Sequence, residues 1–168
     1  MIGNVNASQH LADVYAKTIT TTNTNVEMLG ETMKYAAPVA KAFGASMEET
    51  AALTGLMANA GIKASQAGTA LRAGFLRLAG PPAKATKEMT ALGIELSDAT
   101  REHAEAAAAL DSLGIKFDAN GKKGKKMGGI IREIAEKTKD MGEEQKLATL
   151  QAIFGTTAAS GWLAVINQ

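Results

Sequence analysis

The stretch that decides the fold is residues 46–78, SMEETAALTGLMANAGIKASQAGTALRAGFLRL. Ser46 and Glu49 have the S-x-x-E spacing of a capping box, which predicts a helix over about residues 47–60. Gly61 follows, and glycine adopts the left-handed conformation that ends many helices. Ser65 begins a second helix, in which apolar residues recur every three or four positions. These apolar residues are Ala67, Ala70, Leu71, Phe75 and Leu78. The stretch therefore predicts two amphipathic helices joined by a glycine turn.

Similar patterns continue on both sides of this stretch. Pro38 lacks a backbone N–H and is expected to kink or split its helix near Ala37. Gly44, Gly114 and Gly155 are expected to end helices. The further predicted helices cover residues 8–20, 26–43, 83–92, 99–113, 127–141, 143–154 and 157–166. The chain is thus predicted to be all-α, an array of about seven to nine short helices punctuated by glycine.

Composition narrows the possible functions of the 168-residue chain. Only 4% of the residues are aromatic and the net charge is +1, so nothing indicates stacking on single strands or a general attraction to nucleic acid. The chain contains no cysteine, which excludes disulfides and thiolate chemistry. A hydrophobic content of 46% argues against a disordered chain.

The strongest helix breaker is Gly80-Pro81-Pro82. It predicts an N-terminal helical subdomain, residues 1–79, and a C-terminal one, residues 83–168, which can also pack as one domain. Leu-Gly-Ile occurs at residues 92–94 and again at residues 113–115. Residues 94–96 and 115–117 alternate in polarity, and two such extended pieces could pair as a minimal β-ribbon.

No catalytic, cofactor-binding or metal-ligating set is predicted. His10 and His103 are isolated and lack a second ligand at i, i+4. The acidic pairs at residues 48–49 and 143–144 lie in first helical turns, where they oppose the helix dipole. Four lysines at residues 122–126 are better explained as a solvated loop than as a contact for nucleic acid or an acidic partner. We therefore expect no enzyme activity and no cofactor.

The C-terminal residues 147–168 carry no charge and are long enough to cross a bilayer. Polar side chains and Gly155 and Gly161 interrupt this run, so a buried pair of helices is the favoured interpretation. The chain stops in apolar sequence without a helix stop signal, which suggests a piece of a longer protein.

Several blocks together point to a known family. The most specific is residues 56–72, LMANAGIKASQAGTALR; the others are residues 26–30, 35–40, 43–51, 113–118 with Gly121, and 153–155 with 158–161. These blocks resemble the core region of the phage tail tape measure protein family. The resemblance covers about residues 25–166. It is lost near residues 97–112, which look like an insertion.

The resemblance implies a structural tail protein that lies in the lumen of the tail tube and sets tail length. It implies binding by tail assembly chaperones, followed by polymerisation of the tail tube protein around it, and contact with the remainder of the tape measure chain. The expected location is the virion, with assembly in the host cytoplasm. The family-motif and packing residues would be Pro38, Gly44, Gly61, Ile62, Ser65, Ala67, Gly68, Leu71, Phe75, Gly114 and Gly155.

The glycine breaks predict a compact helical element of the tape measure, because they would fold the chain back on itself. Two alternatives remain. The first is a membrane-active or host-penetration module that uses residues 147–168. The second, of lower weight, is a cell-wall hydrolase domain, for which no paired histidines or convergent carboxylates are found.

Overall fold

A computed structural model describes residues 2–42, 44–79, 96–115 and 127–168. These residues form eight helices and no strand, which confirms the all-α prediction. The helices are α1 (Ile2–Thr21), α2 (Val26–Ala42), α3 (Met47–Asn59), α4 (Ala64–Ala79), α5 (Leu96–Ser112), α6 (Met127–Thr138), α7 (Glu143–Phe154) and α8 (Ala159–Ile166).

The start of α3 is the predicted capping box. Ser46 Oγ accepts the Glu49 N–H at 3.1 Å, and Glu49 Oε2 accepts the Ser46 N–H at 3.1 Å. Glu49 Oε1 also lies 3.4 Å from the N atom of Gly128, which donates to it from the first turn of α6. One carboxylate therefore serves the beginnings of two helices, where backbone N–H groups lack intrahelical partners.

Several predicted boundaries are wrong. Helix α1 begins at Ile2, six residues earlier than predicted, and the prediction missed this start because the first residues show no apolar stripe. Helix α6 ends at Thr138 instead of residue 141, since residues 139–141 form a turn. Helix α8 begins at Ala159 instead of residue 157, since the positive-φ Gly155 is followed by another turn.

Of the prediction that Pro38 kinks or splits its helix, the split is wrong, because α2 runs unbroken from Val26 to Ala42. Pro38 is exposed, while Leu29 and Met33 before it and Val39 and Ala40 after it are buried. Packing on both sides of the proline compensates for the lost backbone hydrogen bond.

Other predictions concern residues outside the described ranges. These are the breaker at residues 80–82, the helix at residues 83–92 and the lysine cluster at residues 122–126. Of the proposed β-ribbon, Leu96 begins α5 and Ile115 has no regular structure, while the other four residues lie outside the described ranges. The division into residues 1–79 and 83–168 stays a prediction.

Helix α4 lies at the centre of the described part, where it packs against α2, α3, α5, α7 and α8. The main hydrophobic cluster includes Leu71 and Phe75 of α4, Leu110 of α5, Ile153 of α7 and Trp162 of α8. A second, smaller cluster consists of Leu29, Met33 and Ala51, with side chains of α1 packed against it.

Candidate packing site around α4

Helix α4 approaches α2 most closely at Gly68. A Cβ atom at this position would lie 2.8 Å from the carbonyl oxygen of Thr32 and 2.9 Å from Cβ of Tyr35. Thr32 Oγ1 lies 2.9 Å from the carbonyl oxygen of Ala64, at the start of α4, and is fully buried. The two backbones can come this close only because residue 68 has no side chain.

A second close contact of α4 is made by Trp162 of α8. Its indole Nε1 donates a hydrogen bond of 3.1 Å to the carbonyl oxygen of Ala70. Its ring stacks on Phe154, with centroids 4.3 Å apart and planes 8° from parallel. A Cβ at Gly74 would lie 2.5 Å from Cε2 of this ring. The Trp162 side chain, completely buried, therefore occupies a space that Gly74 leaves open.

The C-terminal end of α4 carries a buried arginine. Arg77 Nη2 donates to Glu105 Oε2 of α5 at 2.8 Å, and its side chain is 8% exposed. This hydrogen bond from Arg77 lowers the pKa of Glu105 below its ordinary value. The Arg77 side chain also packs beside Gly155, and a Cβ atom at Gly155 would lie 3.4 Å from Nη1 of Arg77. The backbone of Arg77 makes a further contact with α5, because Nδ1 of His103 donates to the Arg77 carbonyl oxygen at 2.9 Å.

A groove of about 440 Å³ lies between α4 and the segment that joins α7 to α8. The described residues that line it are small or uncharged: Ile62, Ser65, Gln66, Thr69, Ala70, Ala73, Thr157, Ala158, Ser160 and Gly161. Such a lining can accept an apolar side chain but offers no charged group for catalysis or ion binding.

Within the described ranges, no group of three or more histidines, aspartates or glutamates converges to hold a metal ion. No single described helix is both long and apolar enough to cross a membrane. Helices α7 and α8 reach that length and composition together, but the chain bends by 118° between them. Their apolar residues Leu150, Ile153, Phe154, Trp162 and Val165 are buried in the main cluster, as expected for the predicted buried pair.

Comparison with known proteins identifies this set of packed helices. The profile of the phage-related minor tail protein family matches residues 2–155, most of the chain. This chain belongs to the phage-related minor tail protein family. The minor tail protein segment is 37% identical over 165 residues to the tape measure protein of Pneumococcus phage Dp-1. It is 32% identical over 151 residues to the probable tape measure protein of Escherichia phage P2.

The two matches cover 96% and 90% of the minor tail protein segment, but only 12% and 16% of the two relatives. The chain thus corresponds to a short part of much longer tape measure proteins. No solved structure matches it.

The structure brings together some of the residues that the family resemblance singled out. Ala67, Leu71 and Phe75 are completely buried on α4, and Gly68 lies on the same helix against α2. Ile62 and Ser65 line the groove, next to the turn at Gly61, whose φ is +85°.

The remaining four of these residues lie elsewhere in the minor tail protein segment. Pro38, Gly44 and Gly114 are exposed, whereas Gly155 lies beside Arg77. Gly44, Gly114 and Gly155 have φ between +72° and +84°.

Sequence reasoning missed several residues of the packing site, among them Trp162, Thr32 and Arg77. The burial of Trp162, the single tryptophan, could have been predicted, because it lies in an uncharged, apolar run. The burial of Thr32 and Arg77 could not, since a buried hydroxyl or guanidinium is recognisable only from its partners, Ala64 and Glu105.

Proposed function

We propose that this segment is a compact helical element of a tape measure protein, one that helps to set tail length and to start tail tube assembly. The observation that carries the proposal is that tape measure relatives match at least 90% of this chain. The element would act through packing contacts, without catalysis. Its location would be the interior of the tail tube in the virion, after assembly in the host cytoplasm.

The path of the chain supports a compact element over an extended one. Asn59 Oδ1 accepts the Asn23 N–H at 2.9 Å, and Asn59 Nδ2 donates to Gln168 Oε1 at 3.4 Å. Gln168 Nε2 also donates to the Leu56 carbonyl oxygen at 2.8 Å. Gln168 therefore lies near the C-terminal end of α1, and one helix length separates it from the other end of α1.

The distance between the first and last described residues of this compact segment can be compared with the length of a straight helix of the same number of residues. A helix advances about 1.5 Å per residue, so α1 spans about 30 Å while an unbroken helix of this chain would span about 250 Å. A compact segment would thus add far less to a tail than its number of residues suggests. In a tape measure protein that is otherwise an extended helix, the segment would instead act as a fixed body that other tail components contact.

The proposed partners are the tail tube protein, the tail assembly chaperones and the remainder of the tape measure chain. The uncharged groove beside α4 and the exposed faces of the helices would supply contacts with such partners. These contacts would be sensitive to shape and apolar area, because the described residues that line the groove carry no charge.

An in-frame duplication of the segment in its tail gene tests the proposal, with tail length measured by electron microscopy. We expect tails to lengthen by about 30 Å or less for each added compact copy. The matched control inserts a designed continuous helix of equal length, which should lengthen tails by about 250 Å. Equal lengthening by both insertions would contradict a compact element.

Deletion of the segment tests whether it is needed at all. We expect few tails, since loss of a body that tube components contact would impair the start of assembly. Normal numbers of tails of normal length after deletion would show that the segment contributes neither to length nor to assembly.

A further inference from the structure

Helix α1 is attached to the fold through the smaller hydrophobic cluster. Its side chains Val14, Tyr15 and Ile19 pack against the cluster formed by Leu29, Met33 and Ala51. In the described part of the chain, no α1 residue belongs to the main cluster around α4. The apolar contacts that hold α1 are therefore separate from those that hold α4, α5, α7 and α8 together.

Further contacts join α1 and the residue after it to α3. His10 Nε2 lies 2.6 Å from Glu48 Oε1 of α3, and both side chains are more than half exposed. Just beyond the C-terminal end of α1, Thr22 packs on Gly55, where a Cβ would lie 2.7 Å from the Thr22 methyl group. Residues 6–13 are exposed on every face of the helix. Little buried area therefore holds residues 6–13 of α1.

The connection from α1 to α2 does not need α1 to be docked. Asn25 Oδ1 accepts the Met28 N–H at 2.8 Å and so caps α2 from outside α1. The residues between the two helices, Thr22 to Asn25, are short and polar, and such side chains compete for backbone hydrogen bonds instead of prolonging a helix. Helix α2 would keep its N-cap if α1 moved away.

From this arrangement we propose that α1 is a releasable arm. It undocks as a unit and pivots at residues 22–25, releasing the contacts of Thr22 with Gly55 and of Asn23 with Asn59, while α2, α3 and α4 stay packed. Segments with few shared buried contacts open locally at a lower free energy than the whole domain unfolds. Release frees a rod of about 30 Å. It also uncovers the apolar strip of Leu29, Met33 and Ala51, which are at most 5% exposed when α1 is docked.

The use of this arm in a tail rests on the proposed function, whereas its release is a property of the fold alone. In a tape measure protein, release would lengthen the path of the chain. The same element would then have two path lengths, a shorter one with α1 docked and a longer one with α1 released.

Hydrogen exchange on the 168-residue chain, followed by mass spectrometry, tests the release. We expect amides of residues 14–21 to exchange at least about tenfold faster than those of residues 70–78 in α4. Val14→Ala should increase exchange in α1 further and leave α4 unchanged. Exchange of α1 and α4 at the same rate, with Val14→Ala accelerating both together, would overturn the proposal.

A pair of substitutions on α1 tests the exposed contact with α3. His10→Ala removes the contact with Glu48 and should raise exchange across residues 14–21. Asp13→Asn is the matched control, because Asp13 is exposed on the same helix. Equal effects of the two substitutions would show that the His10–Glu48 contact does not hold the arm.

A cross-link distinguishes release of the whole helix from fraying of its end. The chain contains no cysteine, so His10→Cys combined with Glu48→Cys gives a single site for a short bis-maleimide. Cross-linking should slow the exchange of residues 14–21 to the rate of α4, and fast exchange after cross-linking would overturn the proposal. These readouts do not involve tail assembly, so failure of the proposed function would leave them unaffected.

Discussion

The indole ring of Trp162 lies where a side chain on Gly74 would otherwise stand. A Cβ at residue 74 would come within 2.5 Å of Cε2 and 2.6 Å of Nε1 of Trp162. The same Nε1 donates to the Ala70 carbonyl oxygen one turn earlier on α4, which fixes the ring in place. The ring cannot move away without losing this hydrogen bond and its stacking on Phe154.

Gly74→Ala should therefore lower the free energy of unfolding, by about 1–3 kcal/mol, the usual cost of an extra methyl group in a close-packed core. Gly30→Ala is the matched control, since Gly30 also lies inside a helix, α2. A Cβ atom at Gly30 would have no neighbouring atom of the described residues within 4 Å. That control should raise stability by about 0.5–1 kcal/mol. Chemical denaturation measures both, and a Gly74→Ala variant as stable as the Gly30→Ala variant would place Trp162 elsewhere.

Leu71→Asp should prevent folding or lower the free energy of unfolding by more than about 4 kcal/mol, because it places a carboxylate in the main cluster without a partner. Leu71 is completely buried. Thr69→Asp, two residues earlier on the same helix and exposed, should change stability by only about 0.5 kcal/mol. Similar melting temperatures for the two variants would contradict the orientation of α4.

Stability should fall in acid partly through Glu105. Its pKa is lowered in the folded state by the hydrogen bond from Arg77, so the folded protein binds this proton less readily than the unfolded chain does. The stabilisation from Glu105 is therefore complete above the ordinary carboxyl pKa and is lost as the pH falls through the lowered value.

Glu105→Gln should consequently flatten the decline of melting temperature between about pH 6 and pH 3. In an Arg77→Met background, Glu105→Gln should alter the pH dependence much less, because the hydrogen bond that is the largest cause of the lowered pKa is absent. An unchanged slope in the single variant would show that the pair contributes nothing to acid sensitivity.

Small-angle scattering should show a compact particle. A domain of this length has a radius of gyration of about 15 Å, whereas a continuous helical rod of 168 residues would have one of about 70 Å. A scattering profile of a long rod would contradict both the fold and the proposed role as a compact element. Measurement at several protein concentrations separates the single chain from larger assemblies.

Local signals made much of this fold predictable from the sequence. The capping box of Ser46 and Glu49 and the matching bounds of α7, Glu143–Phe154, depend on contacts a few residues apart. The continuity of α2 through Pro38 could not be predicted this way, because distant residues pack on both sides of it. The first residues of α1 lack the apolar period on which such predictions rely.

The packing site was partly predictable for the same reason. The buried stripe of Ala67, Leu71 and Phe75 follows the helical period. The partners of α4 do not follow from any pattern: Trp162 is 92 residues from Ala70, and Glu105 is 28 residues from Arg77. Contacts over such separations depend on the whole fold, which a local motif does not encode.

The shared carboxylate of Glu49 has an energetic consequence for the two halves of the chain. Because the Ser46 N–H and the Gly128 N–H both donate to it, the beginnings of α3 and α6 are not thermodynamically independent. A substitution that disorders either beginning will change the contribution of the other, so their effects will not add in a double-mutant cycle. Through this side chain, we expect the first turns of α3 and α6 to be coupled, although Glu49 and Gly128 are 79 residues apart in sequence.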